Sequence, residues 1–186
     1  KLWSVESGDL LTVFDAPSEA TNVGLGPFIT YTHFHPDGDK IAIADMSGSL
    51  RILDIQKNTY IFYDAVAHAL PIRQLAFSPD GSLIYACSDD RHVSVFDIKS
   101  QTNVNSFSHP GMALSVDAAP DGRHFLVGGA DHSVTLWDLG MQRAVTRLTA
   151  QHSDQVWAVK YGNYSNSNIA GTSGSTSSSS TVGALS

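Results

Sequence analysis

The sequence predicts an all-β protein in which one four-stranded unit is used repeatedly. Three observations predict it. Short apolar, β-prone runs alternate with Gly, Pro and Asp turns, and no long segment carries a 3.6-residue helical period. A Pro-Asp-Gly turn recurs with its Asp at 37, 80 and 121, in steps of 43 and 41. A strand-ending Asp recurs at 54, 97 and 138 with the same steps, always 17 residues after the turn Asp. A period of about 40–45 residues with four strands per unit is that of a β-propeller blade.

In chain order, residues 1–5 (KLWSV) read as a strand, followed by a turn at Glu6-Ser7-Gly8-Asp9 and a strand from Leu10 to Phe14. Residues 15–27 hold Pro17, Gly24, Gly26 and Pro27 and read as a connection. The first whole unit takes strands over Phe28–Phe34, Lys40–Ala44, Ser49–Ile55 and Thr59–Tyr63. The second takes Ile72–Phe77, Leu83–Cys87, Val93–Phe96 and Asn103–Phe107. The third takes Leu114–Ala118, Phe125–Val127, Val134–Leu139 and Ala144–Leu148, and Gln155–Tyr161 begins a fourth. The blades therefore fall at about 1–14 (partial), 15–64, 65–108, 109–149 and 150–162 (partial). Residues 163–186 are rich in Ser, Gly, Thr and Asn without a core pattern, which predicts a disordered tail. The chain starts at Lys1 in what reads as mid-strand, so a piece of a longer protein is expected, with missing blades.

Composition narrows the function. Hydrophobic residues make up 42%, enough for a packed core, and the formal net charge is −7. A backbone-driven nucleic-acid binder needs clustered Lys and Arg to displace counterions, so direct binding to nucleic acid or to an anionic membrane is disfavoured. One cysteine, Cys87, excludes an internal disulfide framework and a Cys zinc site. No apolar run approaches the roughly 20 residues of a membrane-spanning helix, and no secretory signal is visible.

Leu136-Trp137-Asp138, with Val95-Phe96-Asp97 and Ile52-Leu53-Asp54 as variants, resembles the strand ending of the WD-repeat β-propeller family. The strings HALPIRQLAFSPDG (68–81), SVTLWDLG (133–140) and HSDQVWAVKY (152–161) resemble the subfamily of WD-repeat subunits of the superkiller (Ski) complex, in animals also found in the Paf complex. The resemblance covers roughly residues 1–162. It implies a partial propeller, about four of seven blades, acting as a non-catalytic scaffold in cytoplasm and nucleus. Its partners would be protein subunits of complexes serving exosome-linked RNA decay and transcription, without cofactor or small-molecule substrate. It also implies hydrogen-bonded sets: His68, Ser88 and Asp90 with Phe96 in place of Trp, and His109, Asp131 and Trp137 with Gly129 in place of Ser. The first unit, with Leu25 and Ser47 at the His and Asp positions, would have none.

Other chemistry is weighed against these roles. His33 and His35 have a spacing that can chelate, but a strand-end pair before a turn is favoured. Ser88, His68 and Asp90 compose a triad on paper, without a nucleophile elbow or oxyanion motif. Asp89-Asp90 lacks EF-hand spacing, and Gly24-x-Gly26 and Gly128-Gly129 open no helix. No catalytic or metal site is therefore assigned, and Cys87 is expected to be a buried, inert thiol. By analogy with propellers, Arg73, Asp89, Met112, Gln155 and Trp157 are expected on the narrow top surface as partner-binding residues; for Trp157, blade packing is the competing reading. A propeller hydrolase and an unrelated WD-repeat adaptor, such as a ubiquitin-ligase substrate receptor, are the alternatives.

Overall fold

The computed structural model describes residues 1–14, 28–64, 66–149, 151–162 and 181–185. Gly24, Leu25 and Gly26, and the tail over 163–180, lie outside the described residues. Among the described residues every regular element is a strand. Blade 1 comprises β3 (Ile29–Phe34), β4 (Lys40–Asp45), β5 (Leu50–Asp54) and β6 (Thr59–Asp64). Blade 2 comprises β7 (Ile72–Phe77), β8 (Leu83–Ser88), β9 (His92–Asp97) and β10 (Thr102–Ser108). Blade 3 comprises β11 (Ala113–Ala118), β12 (His124–Gly129), β13 (Val134–Asp138) and β14 (Arg143–Leu148). Each is an antiparallel meander in sequence order. Before them lies a hairpin of β1 (Leu2–Trp3) and β2 (Leu10–Thr12), and after them a pair of β15 (Ala158–Gly162) and β16 (Thr181–Leu185). Residues 181–185 thus form a strand, with Ala158 opposite Leu185, where the Ser/Gly-rich composition predicts disorder. Antiparallel pairing along β15 supplies the main-chain partners that this composition does not advertise.

The backbone repeats the sequence period. Gly38, Gly81 and Gly122 have positive φ in the first turn of their blades; Gly48, Arg91 and His132 in the central turn; Asn58, Gln101 and Gln142 in the last. Each set steps by 43 and then 41. Of the central-turn residues, Gly48 has a second reason to be Gly: a Cβ there would run into the His68 carbonyl oxygen. A register shift recurs in the innermost strand at Ile29/Tyr31, Ile72/Gln74 and Ala113/Ser115. These bulges add local twist.

The core lies between blades, because the middle strands of each sheet are covered on both faces. Between blades 1 and 2 pack Leu50, Ile52, Phe62, Ile72, Leu75, Ile84 and Phe96. Between blades 2 and 3 pack Tyr85, Val93, Val95, Phe107, Val116, Phe125 and Val127. β8 (LIYACS) is therefore apolar almost throughout rather than alternating. Each such side chain contributes about 1.5–3 kcal/mol on burial. Cys87 lies in this core, and burial pushes its thiol up to about 12.

Polar ties lock the loops. His68 is buried and has two anchors. Its N–H donates to the Gly48 carbonyl in the central turn of blade 1 (3.0 Å), and its Nδ1 lies 2.9 Å from Asp90 Oδ2 in the central turn of its own blade. Burial would raise the Asp90 carboxyl, but His68 and the N–H groups of Ala69 and His92 outweigh it and hold it below the usual range. Ser88 is not bound to His68. It donates to the Leu70 carbonyl (3.0 Å) and accepts from the Asp90 N–H (3.2 Å), and His68 Nε2 has no partner among the described residues.

The second set departs from its expected form. His109 Nδ1 lies 3.1 Å from the Gly111 carbonyl, while Asp131 accepts from Ser133 Oγ (2.8 Å) and pairs with Arg147. Trp137 Nε1 and His109 Nε2 are buried without a partner among the described residues. At Gly129 the His109 ring and the Asp131 carboxylate take up the room that a side chain would need. Blade 1 has a different device, a buried ion pair of Asp45 with Arg51 at 2.8 Å, with Ser47 and Ser49 on the same carboxylate.

Two outcomes follow from these ties. His68→Ala removes one member of a buried pair, so it is expected to cost about 1–3 kcal/mol, whereas the exposed His132→Ala stays within about 0.5 kcal/mol; thermal melts of the two variants check this. Gly129→Ser restores the residue type that the resemblance implies. Its Cβ would nevertheless meet the His109 ring and the Asp131 carboxylate, so a loss of about 1–3 kcal/mol by overpacking is expected in chemical denaturation.

Candidate functional site: the rim at the first-strand starts

The innermost strands β3, β7, β11 and β15 pack side by side, so their starting ends share one end of the molecule. One bond repeats there. The residue opening each central turn, Met46, Asp89 or Ala130, donates its N–H to a carbonyl just before the first strand, that of Phe28, Pro71 or Met112 (2.9–3.1 Å). This fixes which side chains reach the rim.

Arg73 and Asp89 meet there. Nε to Oδ1 is 2.8 Å and Nη2 to Oδ2 is 2.5 Å, a fork-to-carboxylate pair. The Asp89 hydrogen bond holds the Arg73 guanidinium above its ordinary value. Arg73 is 40% exposed and Asp89 only 11%, so the arginine is the half of the pair a partner could reach. Met112 (39%) and Trp157 (59%) are exposed, and Gln155 is half-buried.

Sequence reasoning missed three apolar residues of the same rim: Phe28 (61% exposed), Met46 (51%) and Leu70 (48%). The signal was available. One period before Asp89 stands Met46, and one period before Pro71 stands Phe28. The rim thus carries exposed apolar side chains beside an anchored arginine, and Trp and Arg are enriched at protein-binding hot spots.

The opposite end carries a cavity of about 310 Å³ lined by His33, Phe77, Ser78, Asp117, Lys160 and Tyr161 among others. Its carboxylate is occupied: Asp117 accepts from Lys160 Nζ and the Tyr161 N–H, both at 2.7 Å. Burial, with Lys160 nearby, lowers the His33 imidazole and favours its neutral form. His35 does not join His33. Its Nε2 crosses to the Gly81 carbonyl of the next blade (2.9 Å) and its ring stands edge-on to Phe77. Among the described residues no group of three or more His, Cys, Asp or Glu is placed to hold a metal ion. Ser88 is committed to main-chain groups and is not poised for attack on a substrate.

Comparisons with known proteins agree with this geometry. The family model "WD domain, G-beta repeat" matches residues 58–97 and 101–138. The chain is 28% identical over 151 residues to the transcription factor unc-37 of Caenorhabditis elegans, spanning 79% of this chain and 24% of that protein. It is 30% identical over 130 residues to the protein groucho of Drosophila melanogaster, spanning 68% of this chain and 17% of that protein. The chain thus spans about a quarter or less of the length of these relatives. Among solved structures, the RRP9 WD40 repeats superpose with a TM-score of 0.68 at 19% identity, over 72% of this chain and 42% of that one, a likeness of fold alone. The family model and the relatives support the WD-repeat family, the model over residues 58–97 and 101–138, and the solved structure shares the fold.

Proposed function

We propose that this chain is a non-catalytic scaffold that holds a protein partner on the rim of Arg73, Met112 and Trp157, with Phe28, Met46 and Leu70. The single observation behind it is that rim: large apolar side chains left in solvent around an arginine whose orientation Asp89 fixes. A pre-oriented arginine loses little freedom on binding. WD-repeat relatives in general suggest protein-interaction scaffolds, which fits. The finer reading is a subunit of the Ski type, working in cytoplasm and nucleus, with protein subunits of the Ski and Paf complexes as partners and any RNA contact indirect. Three sequence strings support it, over 68–81, 133–140 and 152–161. A second reading is a transcriptional WD-repeat protein of another kind, favoured by the likeness to the transcription factor unc-37.

Affinity purification with mass spectrometry separates the two. Enrichment of Ski or Paf subunits supports the first, and their absence alongside other transcription proteins supports the second. The paired variant Arg73→Ala, Trp157→Ala is expected to weaken partner binding by roughly 2 kcal/mol or more with an unchanged melting temperature. Undiminished binding by that variant would remove the rim as the site.

A further inference from the structure

Three Asp-Gly steps stand in the first turns of the blades: Asp37-Gly38, Asp80-Gly81 and Asp121-Gly122, each preceded by Pro. They follow the first strands, at the end of the molecule opposite the rim. An Asp-Gly step is open to isomerisation, because Gly carries no side chain to shield its nitrogen and its backbone turns freely. The Gly nitrogen can attack the carbon of the Asp side-chain carboxyl. A C–N bond forms, the carboxyl gives up its hydroxyl and the nitrogen its proton, and water leaves a five-membered succinimide. Water then reopens the ring. Opening at the main-chain carbonyl leaves isoaspartate, with the chain running through the side-chain methylene and no net change in composition.

All three turns resist this in one way. The Asp Oδ1 accepts from the N–H two residues on, that of Asp39 (2.9 Å), Ser82 (3.1 Å) or Arg123 (2.8 Å). The Gly N–H donates back to the carbonyl of His35, Ser78 or Ala119 (2.9–3.1 Å). Ring closure must break both bonds. The repeats differ in what covers the glycine. Gly81 is buried under blade 1: His35 Nε2 donates to the Gly81 carbonyl (2.9 Å), and a Cβ on Gly81 would lie 2.3 Å from that nitrogen. One period after His35 stands Ser78, a short side chain already bonded to Asp80 in its own turn (2.6 Å). Gly122 is exposed, with nothing within 4 Å of where a Cβ would be.

We propose that Asp121 is a modification site: in the folded chain it converts to isoaspartate ahead of Asp80, which His35 protects across the contact between blades 1 and 2. The two carboxylates are matched in their own turns. Asp121 is held by His124 Nδ1 (2.6 Å), and Asp80 by the hydroxyls of Ser78 (2.6 Å) and Ser82 (2.9 Å). The cover makes the difference. At Asp80 the His35 ring, which stands edge-on to Phe77, must also leave before the ring can close. The added methylene of isoaspartate has room beside Gly122 and none beside Gly81. Asp37 is a slower site, although Gly38 is open. Burial would raise its carboxyl, but Lys40, the Asp39 N–H and His35 hold it down at about 2, and an ionised carboxylate is the poorer electrophile.

Incubation of the 186-residue chain in warm neutral buffer, followed by tryptic mapping, tests this, because the three steps fall in separate peptides, 2–40, 74–91 and 100–123. Isoaspartate shows as a peptide of unchanged mass and shifted retention that takes a methyl label from an isoaspartyl methyltransferase. Asp121 is expected to convert roughly tenfold faster than Asp80, the factor that one part-buried hydrogen bond sets. In urea, where the cover is gone, the two rates should be alike. His35→Ala should bring Asp80 up to the Asp121 rate and leave Asp121 unchanged. Equal rates in the folded chain, or no conversion at Asp121, overturn the inference. So does a preference for Asp121 that survives in urea, or an Asp80 rate that His35→Ala leaves unmoved. The unmodified chain, folded against unfolded, decides the matter even where the variant fails to fold.

Discussion

Tyr85 and Phe125 meet between blades 2 and 3 with ring centroids 5.0 Å apart, and Phe107 and Trp137 close around them. Contacts of this kind, sheet face against sheet face, are what the rest of the structure depends on. A single four-stranded meander of five- to seven-residue strands has no interior of its own. Its apolar side chains leave water only when the next blade arrives. Blade 2, covered on both sides, has its second strand buried almost completely. β14, the outer edge strand of blade 3, is exposed along all six residues, as its counterpart β10 largely is in blade 2.

Polar ties take second place in energy but decide geometry. His68 links the central turn of blade 1, through its N–H, to the central turn of blade 2, through its ring. At the other end His35 reaches from blade 1 to the Gly81 carbonyl of blade 2. Gln74 does the same along the inner edge: its amide meets Tyr31 Oη on β3 (3.2 Å) and the Val116 N–H on β11 (3.3 Å), so one side chain spans three blades. These ties hold the rotation between blades, and with it the spacing of the rim residues that a partner would meet. The rim is exposed because it lies at strand starts, where no neighbouring sheet can cover it.

Much of the fold was legible in the residues. Pro79-Asp80-Gly81 and Asp97 bracket β8 and β9 in sequence as in space, because turn chemistry is local. Arg73 and Asp89 could be placed on one rim from their positions in the repeat, although their mutual pairing could not. What stayed hidden depends on neighbours. Gly129 read as a missing serine, but only packing shows that the His109 ring occupies the room a side chain would need. The buried Asp45–Arg51 pair of blade 1 replaces a His-Asp set that the motif does not offer there. Residues 181–185 read as tail because strand formation by a Thr-Val-Gly-Ala-Leu segment depends on a waiting edge, not on its own composition.

The claim that face-to-face packing between blades carries the stability is tested most directly by native-state hydrogen exchange. Amides of β8 and β12, at the middle of the packed interfaces, should open only with global unfolding and exchange slowest. Those of β14 and of the β1–β2 hairpin should exchange through local opening with little protection. Equal protection of β14 and β8 would contradict the account, because it would mean that a blade holds itself together without its neighbour.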